Sequence, residues 1–145
     1  MIVVIADTSG LVAALDAEHP DGEGARTVMH TAGLLVVSPV LLSELDHLVD
    51  REFGQDAALE VVDDLRVRVD EGRACIPHIT SRIVALAQEV RRKYRDLDLD
   101  IADAVNVVVA AEFETDAILT LDRRDFRAIK PLAEYNAFRL LPDDM

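Results

Sequence analysis

Four carboxylates stand where solubility alone does not explain a charge. Asp7 ends the apolar run "IVVIA", and Asp122 ends "AILTL". Glu44 interrupts "PVLLSELDHLVDREFG". Asp103 closes a group of four aspartates in the first eight residues of "DLDLDIADAVNVVVAAEF", after which the chain turns almost wholly apolar. Carboxylates gathered from separate segments into one place cannot all ionise a few Å apart without help. Either their pKa values rise or cations bind between them. Ligation by oxygen alone suits Mg²⁺ or Mn²⁺ and not zinc. His19, His30, His47 and His78 are scattered without zinc spacing, and His47 and His78 read as surface or loop residues.

Each acid also has a plainer reading. Asp is a favoured helix N-cap worth about 1 kcal/mol, and "DTSG" and "DRRD" both suit that role, so capping and chemistry stay open for Asp7 and Asp122. Asp100 and Asp103 are spaced as a capping pair, at a helix end that favours negative charge. Asp100 therefore reads as the cap. Asp103 lies one turn further in, flanked by Ile101, Ala102, Ala104 and Val105. The strip Asp100, Asp103, Asn106 running down a buried helix should face a cleft. At about 100° per residue, Glu44 falls beside Leu41 and Leu48, at the edge of a stripe that also holds Leu42, Leu45 and Val49. A carboxylate at a buried edge requires a positive partner, whether a cation or a nearby arginine, unless it reaches out to water.

Short strands and helices must carry these groups. "IVVIA", "LLVVS", "RACI", "DAILTLD" and "AFRLLP" read as five strands, the last at an edge. Helical sequence lies between them: "SGLVAALDA", "EGARTVMHTAG" closed by Gly33, "PVLLSELDHLVDREFG", "DAALEVVDDLRVRVDEG", "TSRIVALAQEVRRKY", and the stretch from Asp96 to Phe113. The strands are apolar without alternation, as expected when both faces are covered. The alternation of strand and helix predicts a parallel sheet with helices on both sides. Such sheets place their sites beyond the carboxyl ends of the strands, where Asp7 and Asp122 stand.

The chain of 145 residues reads as one domain, 1–145. No apolar run has the length of a membrane span, and "MIVVIADTSG" lacks the basic start of a signal peptide. Cys75, the single cysteine, sits in the apolar "RACIPHI" as an inert core thiol and points to a reducing, cytoplasmic setting. The formal net charge is −13, which repels phosphate backbones on average. Binding nucleic acid would require positive charge supplied locally, by metal ions or a small basic patch. The strongest basic run is "RRKYR", Arg91 to Arg95; it suits either RNA contact or a solvated helix end.

Taken together and in order, "ADTSGLVA", "SELDHLV", "DIADAVNVVVA" and "ILTLDRRDF" resemble the PIN-domain ribonucleases, and among them the VapC toxins of bacterial toxin–antitoxin pairs. The resemblance spans Ile5 to about Pro142. It implies an α/β/α sandwich with a short, mostly parallel sheet, and a Mg²⁺-dependent endoribonuclease (Mn²⁺ in its place). It carries catalytic and metal-binding roles onto Asp7, Glu44, Asp103 and Asp122. Ser9, Thr120, Asp100 and Asn106 become supporting residues, with Thr8 an alternative to Ser9 and Asp125 an extra carboxylate able to join the site. Arg123 and Arg124 are candidates for holding substrate phosphate, against two exposed arginines on a turn. The implied partners are RNA (a tRNA or ribosomal RNA), a small antitoxin whose basic side chain enters the acidic site, and a second copy in a homodimer. Three rivals remain. A phosphotransfer domain of receiver or phosphatase type also places Asp after a strand, yet Asp7-Thr8-Ser9 is not D-x-D and Lys130 is the one late lysine. A non-catalytic PIN-like scaffold would have no need of all four acids. A DNA-cutting relative is not separable at this level.

Overall fold

A computed structural model of the protein describes residues 2–145. Its centre is a five-stranded, all-parallel sheet in the order β3-β2-β1-β4-β5, formed by β1 (Val3–Ala6), β2 (Leu34–Val36), β3 (Ala74–Cys75), β4 (Ala117–Leu119) and β5 (Arg139–Leu141). The strands are shorter than the apolar runs suggested, because the residues past their carboxyl ends turn into loops and helix caps. β5 stands at an edge, as expected, and β3 forms the other.

Successive strand residues point to opposite faces, and both faces are covered. Val4, Ala6, Leu35 and Leu119 pack beneath α1 (Thr8–Leu15), α2 (Gly22–Thr31), α3 (Pro39–Phe53) and α4 (Gln55–Asp70). Ile5, Val36, Ile118 and Leu140 pack beneath α5 (Ser81–Lys93), α6 (Ile101–Glu112) and α7 (Arg123–Ala128). Two apolar clusters thus sandwich the sheet, which accounts for strands without polar alternation. Cys75 is half-buried against the second cluster and unpaired.

One expected element is corrected. The stretch from Asp96 to Phe113 is not a single helix: a 3-10 turn covers Arg95–Leu97, and α6 begins only at Ile101. Asp98 has a φ of 52°, outside the right-handed helical region. Leu99 is buried in the second cluster, and the Asp100 side chain accepts from the Asp103 amide at 2.8 Å, starting the helix there. Beyond that cap every residue from Ala104 to Ala110 is buried.

The chain order around β1 fixes where a site can form. β1 pairs with β2 on one side and β4 on the other, so successive connections leave β1 in opposite directions. That reversal opens a crevice at the carboxyl ends of β1 and β4. α1 lies unusually close to β4 there: a β-carbon on Gly10 would sit 2.6 Å from both the Leu119 side chain and its carbonyl oxygen. Inside a helix, alanine is ordinarily favoured over glycine by about 1 kcal/mol. Gly10→Ala is nevertheless expected to lower stability by about 1–3 kcal/mol, the usual range for overpacking. Urea unfolding measures it, and an unchanged or raised midpoint would show that α1 can move away from β4.

Candidate metal centre

The crevice is built around Asp7. It follows β1 directly and precedes α1, the place of an N-cap, yet its side chain makes no capping bond. Instead its Oδ2 accepts from Thr120 Oγ1 at 2.7 Å and from Ser9 Oγ at 3.0 Å. The capping explanation therefore fails for this residue. Asp7 is only 7% exposed. Burial pushes its pKa up, the two hydroxyls pull it back, and the nearby Asp122 charge raises it further.

Thr120 and Ser9 do more than hold Asp7. Thr120 Oγ1 also accepts from the Asp122 amide at 2.9 Å, and Ser9 Oγ accepts from the Leu121 amide at 2.9 Å. The two hydroxyls lie 3.3 Å apart. They lace the end of β1 to the end of β4 and aim the segment that carries Asp122. Between Thr8 and Ser9, it is Ser9 whose hydroxyl bonds the Asp7 carboxylate.

Asp122 does cap a helix: its side chain accepts from the Asp125 amide at 3.2 Å at the start of α7. Capping does not remove it from the site. Asp103, Asp122 and Asp125, all half-buried, each offer an oxygen within 4.8 Å of the others. Asp103 comes from the first turn of α6. Its pKa is raised to about 8, first by burial and then by the charges of Asp7, Asp100, Asp122 and Glu44. Burial and Asp122 also raise Asp125. The spacing Asp122-Arg-Arg-Asp125 was the available signal for that third carboxylate: residues at the cap and three positions on are brought together by the first helical turn.

Glu44 is corrected in its setting. It is exposed on α3, not placed at a buried edge. Leu41, Leu45 and Val49 form the buried line of that helix, with Leu42 and Leu48 half-buried on its flanks. Glu44 lies about 100° from Leu45, beyond the flank that Leu48 occupies at about 60°. It is still close enough for its charge to raise the Asp103 pKa, so it stands on the solvent side of the crevice. Asp100 is the exposed cap expected of it.

Asn106 is fully buried one turn below Asp103. Its Nδ2 donates to the Ala6 carbonyl at 3.3 Å, tying α6 to the residue before Asp7. Its Oδ1 is buried without a hydrogen-bond partner. An acceptor left over beneath a cluster of crowded carboxylates fits a centre that is completed by a hard cation and its water shell. The donors are all oxygens, which fits Mg²⁺ or Mn²⁺.

The two arginines after Asp122 differ. Arg123 is held by Asp143, at 2.9 Å through Nη2, and by Asp21 at 3.3 Å. Arg124 is exposed and makes no ion pair among the described residues.

The PIN domain model matches residues 4–131 of the chain. The protein named Ribonuclease VapC26 of Mycobacterium tuberculosis is 40% identical over 130 residues, which span 89% of this chain and 93% of that protein. Two solved structures share the fold at 18% identity. Mycobacterium tuberculosis VapC20, described as a sarcin-ricin loop cleaving toxin, matches with a TM-score of 0.72 over 83% of this chain and 91% of its own. VapBC2 from Rickettsia felis, bound to a DNA fragment from its promoter, matches with a TM-score of 0.61 over 91% of this chain and 96% of its own.

A carboxyl whose pKa rises from 3.8 when free to about 8 when folded costs no stability below pH 4. The cost grows through the window from about 4 to 8 and is fully present above it, since folding must then force an ionised group into the site. Asp103→Asn removes that cost. Without divalent metal it is expected to stabilise the protein by at least about 1 kcal/mol at pH 8, roughly one pKa unit's worth, with the gain vanishing toward pH 4. Thermal melts across pH read this directly. A gain independent of pH would place the strain elsewhere.

Proposed function

The chain belongs to the PIN-domain family, and on that footing we propose that it is a divalent-metal-dependent endoribonuclease, the toxin of a toxin–antitoxin pair. The observation that carries the proposal is the meeting of Asp103, Asp122 and Asp125 beside buried Asp7. So many acids held by the fold in one crevice are costly unless a cation neutralises them.

In this reading Asp103, Asp122 and Asp125 would hold Mg²⁺, with Asp7 as a neighbouring oxygen donor; Mn²⁺ suits the same set. Bound there, a divalent ion would supply polarisation of the phosphodiester and activation of a water. Thr120 and Ser9 keep Asp7 pointed at the crevice, and Asn106 keeps α6 seated on β1. Side chains so fixed need no reorganisation as charge develops at the phosphate. Glu44, open to solvent beside Asp103, either takes a proton from the attacking water or holds a second cation. Asp100 starts α6 and touches the site only through its charge. The substrate is a tRNA or a ribosomal RNA, and mapping new 5′ ends in total RNA after brief expression identifies which.

Two partners complete the proposal. The chain forms a homodimer, and a small antitoxin silences it by placing a basic side chain among the carboxylates. VapBC2, which shares the fold, is a complex of that pairing by its name, and the acidic crevice is complementary to such a group.

Asp103→Asn is expected to lower RNA cleavage at least about 100-fold, as removal of a preorganised charge does. Thr120→Val should cost about 10–100-fold, the range for groups that orient a metal ligand. Asp100→Asn should cost far less than Asp103→Asn. Rates from single-turnover cleavage separate these cases, and equal losses in the two Asp variants would overturn the division between ligand and cap.

If an antitoxin cation occupies the crevice, it competes with Mg²⁺ for the same oxygens. At fixed ionic strength, inhibition should then weaken as Mg²⁺ rises. Inhibition that ignores Mg²⁺ and survives removal of the antitoxin's basic residues would point to a steric block instead.

A further inference from the structure

An acidic protein that binds RNA must supply positive charge somewhere near the crevice. Arg123 is not free to supply it, since Asp143 and Asp21 already hold its guanidinium. Seven arginines between Arg51 and Arg139 stand within ion-pair distance of a carboxylate. Arg92 and Arg95 do not: both are exposed and neither makes an ion pair among the described residues.

These two line a hollow of about 190 Å³ together with Arg91, Gln88, Asp98 and Leu99. Three guanidiniums against the single carboxylate of Asp98 leave it positive. The hollow is also built. Arg91 Nε donates to the Leu99 carbonyl at 2.9 Å, and its Nη1 donates to Gln88 Oε1 at 2.9 Å. That first bond ties the hollow to the crevice, because Leu99 directly precedes Asp100, the cap of the helix that carries Asp103. Tyr94, between Lys93 and Arg95, accepts through Oη from the Lys130 amide at 3.0 Å, joining the end of α5 to the segment just past α7, the helix that Asp122 caps.

A helix C-terminus attracts cations in any protein, and that accounts for Arg91, Arg92 and Lys93 in the last turn of α5. It does not account for Arg95, which lies beyond the end of α5 in the 3-10 turn. Lys93 is otherwise occupied, with its ammonium 5.4 Å from the centre of the Tyr94 ring.

We propose that the hollow lined by Arg91, Arg92 and Arg95 is a phosphate subsite that holds the backbone of single-stranded RNA one side of the scissile bond. This deepens the nuclease reading and rests on it. Arg92 and Arg95 bind the phosphate, and Arg91 positions the Asp98–Asp100 segment between subsite and crevice. Two unpaired cations close in the chain to the cap of α6 let the strand approach a surface whose average field repels it.

The test uses the full chain carrying Asp103→Asn, so that RNA binds in Mg²⁺ without being cut. The probe is a 30-nucleotide single-stranded RNA pool of random sequence. Adding Arg92→Gln and Arg95→Gln should weaken binding at least about tenfold. It should also flatten the dependence of log affinity on log salt by about 1.4, or about 0.7 for each lost phosphate contact. Arg92→Lys with Arg95→Lys should retain most of the slope. Arg51→Gln with Arg66→Gln, in the opposite helical layer, should leave affinity and slope unchanged. In the otherwise wild-type chain, the Gln pair should raise KM for RNA more than it lowers kcat. Melting curves check that each variant is folded. If the Gln pair keeps the parent's affinity and slope while wild type cuts RNA, the subsite is overturned and the nuclease reading stands. Equal, equally salt-sensitive binding of polyglutamate would show an unspecific cationic patch and also overturn it. A wild-type chain that cuts no RNA with Mg²⁺ or Mn²⁺ overturns the nuclease reading, and the subsite with it.

Discussion

A carboxylate almost sealed from water governs the middle of this protein. Asp7 follows the central strand in a position that would ordinarily make it a helix cap, but its Oδ2 accepts from Thr120 and Ser9 instead. Those hydroxyls in turn receive the amides of Asp122 and Leu121. One buried carboxyl group therefore organises the ends of β1 and β4, the start of α1 and the loop into α7. The arrangement requires α1 to press against β4, and only a residue without a β-carbon at position 10 permits it. Bonds to the charged form offset part of the desolvation cost of Asp7 without cancelling it, since its pKa is still raised.

The architecture was legible because burial and period agree. Strand residues with both faces covered need not alternate, and α6 is apolar at six of the seven positions from Ala104 to Ala110 that the fold buries, Asn106 being the exception. Asp103 was legible for a related reason, as a charge one turn inside that helix without a surface role. Glu44 was misplaced because helical angle alone does not give the width of a buried stripe. α3 buries one line of residues fully and the next lines by half. The boundary at Asp100 was recognised as a cap, but the preceding residues were carried into the helix. A positive φ at Asp98 leaves little trace in composition.

Asp125 shows how one residue can satisfy local and distant demands together. Its amide is the donor that Asp122 caps, and its carboxylate joins Asp122 and Asp103 across the crevice. Sequence ranks it below Asp122 because an acid in a first helical turn needs no further explanation. The same ambiguity attends Arg123, whose partners Asp21 and Asp143 lie 102 and 20 residues away. Long-range pairing decides whether a cation is free, and spacing along the chain carries no record of it.

Charge is distributed here with a consequence for association. The −13 total makes the surface repulsive to any polyanion at long range, but at physiological salt that field fades over about 8 Å. Within that distance the local groups dominate. Near the crevice they alternate: unpaired arginines where α5 ends, carboxylates where α6 and α7 begin. In the proposed reading, a strand approaching from solution gains attraction in a register that sets phosphates on these arginines and on the cation among the carboxylates. In that reading the net negative charge acts against unspecific binding and leaves affinity to a few local contacts.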